Sequence, residues 1–152
     1  MPVTPLAATP VPLFGDKGRA FHAVPRAVAA CRKLVQAGMF AHGMTDLSDS
    51  ACSVISELAA NAIDATQAEH QAARPGDYPP VMVITLDWMT AGVRIGIWDG
   101  SPGIPEVRSP DRDAESGRGL LLVGELTAGR WGWFTAGSGK CVWAEVVRDT
   151  QR

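Results

Sequence analysis

Residues 54–66 read VISELAANAIDAT. The run holds no Gly or Pro and is rich in Ala, which predicts a helix. At roughly 100° per residue, Glu57, Asn61 and Asp64 share one narrow stripe. Ala51, Ile55, Leu58, Ala62 and Ala65 share a neighbouring arc that suits a core. The stripe sets a carboxylate and a carboxamide one turn apart, facing the same way. Such a carboxylate can take a proton from an attacking hydroxyl or water. The carboxamide oxygen is a hard ligand for a small cation such as Mg²⁺, which keeps several waters and binds phosphate oxygens. The small residues Ala59, Ala60 and Ala62 allow close approach to the helix. An ordinary amphipathic helix with a solvated polar stripe carries the same pattern, so the rest of the chain has to decide.

A chain of 152 residues is read as one domain. With 46% apolar and 20% charged residues it can build a proper core. A net charge of −2 gives no electrostatic footprint for direct nucleic-acid or anionic-membrane binding. The three cysteines, Cys31, Cys52 and Cys141, form no C-x-x-C pair and are expected to be reduced and mostly buried. There is no secretory leader pattern and no apolar run near the roughly 18 residues of a membrane span, so a cytoplasmic location is expected.

In chain order, residues 1–17 carry four prolines (Pro2, Pro5, Pro10 and Pro12) and are expected to form a disordered or extended arm. Arg19 to Val24 is a candidate first strand, and its His22 is read as structural. Pro25 suits the first turn of a helix in which Val28, Cys31, Leu34 and Val35 recur at helical spacing, with a stop near Gly38. Asp46, Ser48 or Asp49 can cap the long helix, which should end near Ala73. Val81–Leu86 and the alternating Val93–Ile97 read as a hairpin running into Asp99-Gly100-Ser101-Pro102-Gly103. Residues 104–116 lack periodicity and form a candidate lid, whose Arg108 and Arg112 read as parts of a solvated loop. Gly117-Arg118-Gly119 then opens a helix, LLLVGELT. Trp131–Phe134 and Cys141–Val147 form a second hairpin across Gly137-Ser138-Gly139. Residues 149–152 are a tail. This order predicts an α+β two-layer sandwich, with a mixed, mainly antiparallel sheet covered on one face by three helices.

Three motifs occur in order: ELAANAIDA at 57–65, WDGSPG at 98–103 and GRGLLLV at 117–123. Together they resemble the N box and two Gly boxes of the ATPase superfamily of gyrase, heat-shock chaperones and histidine kinases, whose Bergerat-type fold the chain would share. Within it, residues 18–148 resemble the anti-sigma-factor serine/threonine kinase group. The Arg-bearing first helix and the closing RWGWFTAGSGKCVWAEV support this.

The resemblance implies a cofactor set of ATP and Mg²⁺, with Asn61 binding the metal and Glu57 acting as general base toward a partner's Ser or Thr hydroxyl. Asp99 would accept from the exocyclic amine of adenine, and Gly103 would let the backbone pass close to the base or sugar. Gly117, Arg118, Gly119 and Leu120 would meet the phosphates, in part through a helix N-terminus. The implied partners are a sigma factor and an anti-sigma-factor antagonist, with a homodimer also implied. Residue 101 is Ser where the first Gly box usually has Gly. Two other readings remain: a non-catalytic interaction module, with or without nucleotide, and an ATPase module serving a separate His-bearing partner. No phosphoacceptor helix accompanies the boxes, so a self-contained histidine kinase is not expected.

Overall fold

The computed structural model describes residues 18–71, 80–102, 105 and 114–148. The expected arm over 1–17, Gly103, most of the candidate lid and the tail over 149–152 lie outside those residues. Among the described residues, five strands and three α-helices follow one another as β1 (Arg19–His22), α1 (Ala27–Ala41), α2 (Ser48–Gln71), β2 (Val81–Met89), β3 (Gly92–Asp99), α3 (Ala114–Leu126), β4 (Trp131–Ala136) and β5 (Gly139–Val147). A single 3₁₀ turn at Thr45–Leu47 leads into α2.

The strands form one sheet in the order β1-β2-β3-β5-β4. All four pairings are antiparallel, so the mixed sheet expected from sequence is corrected. Two tight hairpins, closing at Met89↔Gly92 and Ala136↔Gly139, supply two of the pairings. The helical connections return the chain antiparallel at the other two.

Strand parity divides the sheet into two faces. Met82, Ile84, Val93, Ile95, Ile97, Val142, Ala144 and Val146 face the helices and join one core with Cys31, Val35, Ile55, Leu58, Ile63 and Val123. The opposite face carries a smaller cluster of Val83, Trp98 and Ala136, backed by Val81. Trp98 is fully buried there, and its indole N–H donates to the Ala136 carbonyl at 2.9 Å.

Helix α2 lies centrally, in contact with α1, α3, β3 and β5. Its predicted core arc is buried at Ala51, Ile55, Leu58 and Ala62, and burial extends to Val54, Ala59 and Ile63. A helix with neighbours on three sides must be apolar over more than half its circumference. Each of Val54, Ile55 and Leu58 contributes on the order of 1.5–3 kcal/mol by leaving water.

The first helix does not stop at Gly38. It runs on to Ala41, and Gly38 is interior because Trp88 lies against it: a Cβ there would sit 2.6 Å from Trp88 Cζ2. The stop is Gly43, at φ 69°. Gly43 N–H donates to the Phe40 carbonyl and Met44 N–H to the Met39 carbonyl, a Schellman closure, and Met39 and Met44 are both buried. His42 then stacks on Trp88, with ring centroids 3.8 Å apart. Strand β1 ends at His22, short of the expected Val24, whereas β2 to β5 run slightly longer than their apolar patterns. No helix among the described residues is long and apolar enough to cross a membrane.

All three cysteines are free; Cys31 and Cys141 are buried and Cys52 is half-buried. Burial pushes the Cys31 and Cys141 thiols up to about 11. In the native protein at pH 8, Ellman's reagent should therefore titrate Cys52 promptly and the other two only after denaturation. Prompt reaction of a second thiol would contradict the packing described. Gly43→Ala forces a left-handed φ on a residue with a side chain and should cost about 1–2 kcal/mol in urea unfolding.

Candidate functional site

The polar stripe of α2 survives folding. Glu57 and Asn61 are half-buried one turn apart, and Asp64 is exposed further along. Helix α3 crosses α2 at this stripe, and the contact is made by Gly119. A Cβ built on Gly119 would lie 3.0 Å from Glu57 Oε1, 3.4 Å from Asn61 Oδ1 and 3.7 Å from Asn61 Nδ2. The structure thus brings together Glu57, Asn61 and Gly119, which are 62 positions apart at their extremes. Glycine is needed here for close approach and not for a special backbone angle.

This geometry corrects one expectation. Gly117-Arg118-Gly119 does not open its helix; α3 begins at Ala114, so both glycines lie inside it. An interior Gly costs about 1 kcal/mol relative to Ala, and the Gly119 contact explains why it is kept. The orphan N–H groups of the helix start belong to residues ahead of Gly119. Leu120 turns its side chain into the main core. The candidate lid also ends earlier than expected, since 114–116 are helical.

Asp99 ends β3 on the helix side of the sheet, in line with Val93, Ile95 and Ile97. It is 1% exposed. Its Oδ1 accepts from the Ser101 backbone N–H at 2.8 Å and from Lys140 Nζ at 3.0 Å. The first bond closes an Asx turn. Among the described residues Ala128 is the only non-glycine with positive φ, so residue 101 needs no glycine conformation and Ser fits.

Nothing in the local sequence singles out Lys140. It stands directly across from Asp99 in the β3–β5 register and is itself 4% exposed. Charges this deep in a protein occur in pairs, and removing one partner from such a pair costs about 3–5 kcal/mol. The two residues are 41 positions apart, and only the hairpin register joins them. Behind the pair, Gly139 lets the turn pass against Asp99; a Cβ at that position would run into the Asp99 carbonyl.

The donor set on α2 is hard oxygen: one carboxylate and one carboxamide. Among the described residues, no three His, Cys, Asp or Glu side chains gather as a metal cage. One carboxylate and one carboxamide oxygen could serve a cation only if it keeps water or phosphate oxygens around it, as Mg²⁺ does.

No protein-family model matches this chain, and no curated protein matches it at a significant level.

The Gly119–Glu57 contact can be measured as a coupling. In a Glu57→Ala background, Gly119→Ala should stabilise the protein by about 1 kcal/mol through helix propensity alone. In the wild type the same change crowds Glu57, and most of that gain should be absent. Additive free energies in a urea-unfolding cycle would mean that the two residues do not meet.

Proposed function

We propose that the chain is a regulatory protein kinase that binds Mg·ATP and phosphorylates a Ser or Thr of an antagonist protein. In this reading it also binds a sigma factor, works in the cytoplasm and forms a homodimer. The single observation that carries the proposal is the convergence of Glu57, Asn61 and Gly119, drawn from the first and third motifs, on one spot where α2 and α3 cross. A buried carboxylate, Asp99, at the end of a neighbouring central strand supports it.

The residues divide the chemistry as follows. Asn61 would hold Mg²⁺ through its carboxamide oxygen, and the ion would neutralise charge on the phosphate oxygens. Glu57 would take the proton of the attacking hydroxyl as its oxygen bonds to the γ-phosphorus and the bond to ADP breaks. Phosphoryl transfer asks mainly for positioning and charge neutralisation, which suits so small a set of groups. The bare Gly119 backbone would let phosphate oxygens come close to α3. Asp99 would accept from the adenine amine, which supports a preference for ATP.

Calorimetric titration with ATP, with and without Mg²⁺, tests the site. Micromolar binding that needs Mg²⁺ and weakens in Asp99→Asn and Asn61→Ala is expected. Glu57→Ala should keep nucleotide affinity and lose phosphotransfer by about 10²–10⁴-fold, the usual share of a general base. Transfer at the wild-type rate would remove Glu57 from that role. An acid-stable phosphoprotein marks a hydroxyl acceptor, whereas an acid-labile one would favour transfer to a His-bearing partner. Absence of binding under every condition would leave a protein-interaction module.

A further inference from the structure

We propose that the outer edge of β4 joins two copies of the chain, with β4 pairing antiparallel to β4 so that two sheets run into one. The inference gives the dimer of the reading above a surface, and it uses none of that reading's nucleotide chemistry. β4 is the last strand of the sheet, and among the described residues no strand lies beyond it. Its sequence is WGWFTA, with no charge and no proline. An edge of this kind is a ready template for another strand, and proteins usually blunt such edges with charge, proline or shortness. The opposite edge is blunted, since β1 has four residues and carries an exposed Arg19. Two large apolar side chains of β4 stand in water, Trp133 at 38% and Phe134 at 48% exposure. They lie on opposite faces: Trp133 is across from Val142 on the helix side, and Phe134 is across from Cys141 in the row of Trp98. A partner laid on one face would cover one of them. A strand added at the edge covers both.

The hairpin fixes which backbone groups are offered. Ala136↔Gly139 closes a tight turn, and the Glu145 N–H donates to the Arg130 carbonyl at 2.9 Å. Arg130, Gly132, Phe134 and Ala136 therefore bond to β5, and the N–H and C=O groups of Trp131, Trp133 and Thr135 point outward. The Trp131 N–H turns back to the Gly129 carbonyl at 2.9 Å, which leaves Trp133 and Thr135 to donate. An antiparallel seam about a two-fold axis keeps like faces together, so residues that meet across it share parity. Centred on Trp133, the seam sets Trp133 against its own copy, Trp131 against Thr135 and Gly132 against Phe134. Gly132 has no side chain, and the Trp143 ring lies over it, with Cζ2 2.8 Å from where a Cβ would be. Phe134 of the other copy would fold onto this bare glycine and meet Trp143, an aromatic contact that also covers edge backbone. The strand is its own complement: outward donors meet outward acceptors, an aromatic meets a glycine, and no like charges are brought together.

Such a seam covers on the order of 1,000 Å² in total, the low end for specific interfaces, so the dimer should come apart on dilution through the micromolar range. Sedimentation velocity on the full chain reads this directly. Thr135→Pro removes an outward N–H that β5 does not use, and Trp133→Lys sets like charges at the axis. Each should raise the dimer dissociation constant by roughly 10-fold or more while circular dichroism stays native. In a Cys52→Ser background, a short bifunctional thiol reagent should link Trp133→Cys into dimers. It should leave Thr135→Cys unlinked, because that residue would lie about 14 Å from its copy. Linkage at residue 135 in preference to 133 would overturn the pairing. A wild-type dimer indifferent to both edge variants would overturn the proposal and keep the dimer on another surface. A monomeric wild type would overturn both, leaving the edge to residues 1–17 or to a strand of another protein. Oligomers that keep growing with concentration would put β4 against β1 of the next copy and overturn the closed pair. Mg·ATP titration is read separately, so failure of the nucleotide site leaves this seam standing.

Discussion

The burial of α2 arranges everything on the helix side of the sheet. This helix touches two other helices and the two central strands, so little of its circumference is left for polar side chains. Glu57, Asn61 and Asp64 occupy that remainder. The polar stripe is narrow because the apolar demand is wide, and it emerges where α3 crosses. A side chain on α3 at the crossing would crowd the Glu57 carboxylate, and a glycine stands there. The same logic explains Gly38, which is bare because Trp88 lies against α1. In both places a helix accepts a poor helix former to bring a neighbour near.

A second constraint acts from the sheet. Its faces are unlike: one is an aliphatic floor for the helices, and the other carries Trp98, Trp143 and a charged row. In that row Arg94 pairs with Glu145 at 2.7 Å and lies over the Trp143 ring. The exposed Arg94 pair contributes little, as exposed pairs do. The buried Asp99–Lys140 pair sits on the helix side instead, where desolvation makes the loss of either member expensive. Asp46 and Arg148 form a third, exposed pair that ties the end of β5 to the turn before α2, and the guanidinium holds the Asp46 carboxyl below its ordinary range.

Local patterns made the helices and hairpins legible. Alternation marked Val93–Ile97 and Val142–Val146, and helical spacing marked the core side of α2. The Glu57/Asn61 stripe could be read because both residues belong to one helix. What escaped was set by contacts distant in sequence. Gly38 looked like a stop because nothing nearby in the chain mentions Trp88. Gly117 and Gly119 looked like a helix start because two glycines usually interrupt helices. Lys140 carries no local mark, since its partner is fixed only once β3 and β5 are in register. The all-antiparallel pairing followed from how the helical connections return, and strand patterns alone carry no such information.

That register has an arithmetic of its own. Residues at Gly92 and Gly139 close the two ends of β3 against β5, and a Cβ at either would run into partner backbone, the Val146 carbonyl in one case and the Asp99 carbonyl in the other. Inserting one residue into β3 would exchange its odd and even positions: Trp98 would turn toward the helices and Asp99 away from them. Inserting two would restore the faces but shift the pairing by roughly 6–7 Å, separating Asp99 from Lys140. The connections can therefore change length at little cost to the fold, while the span from Gly92 to Asp99 and that from Gly139 to Val147 tolerate no change in count.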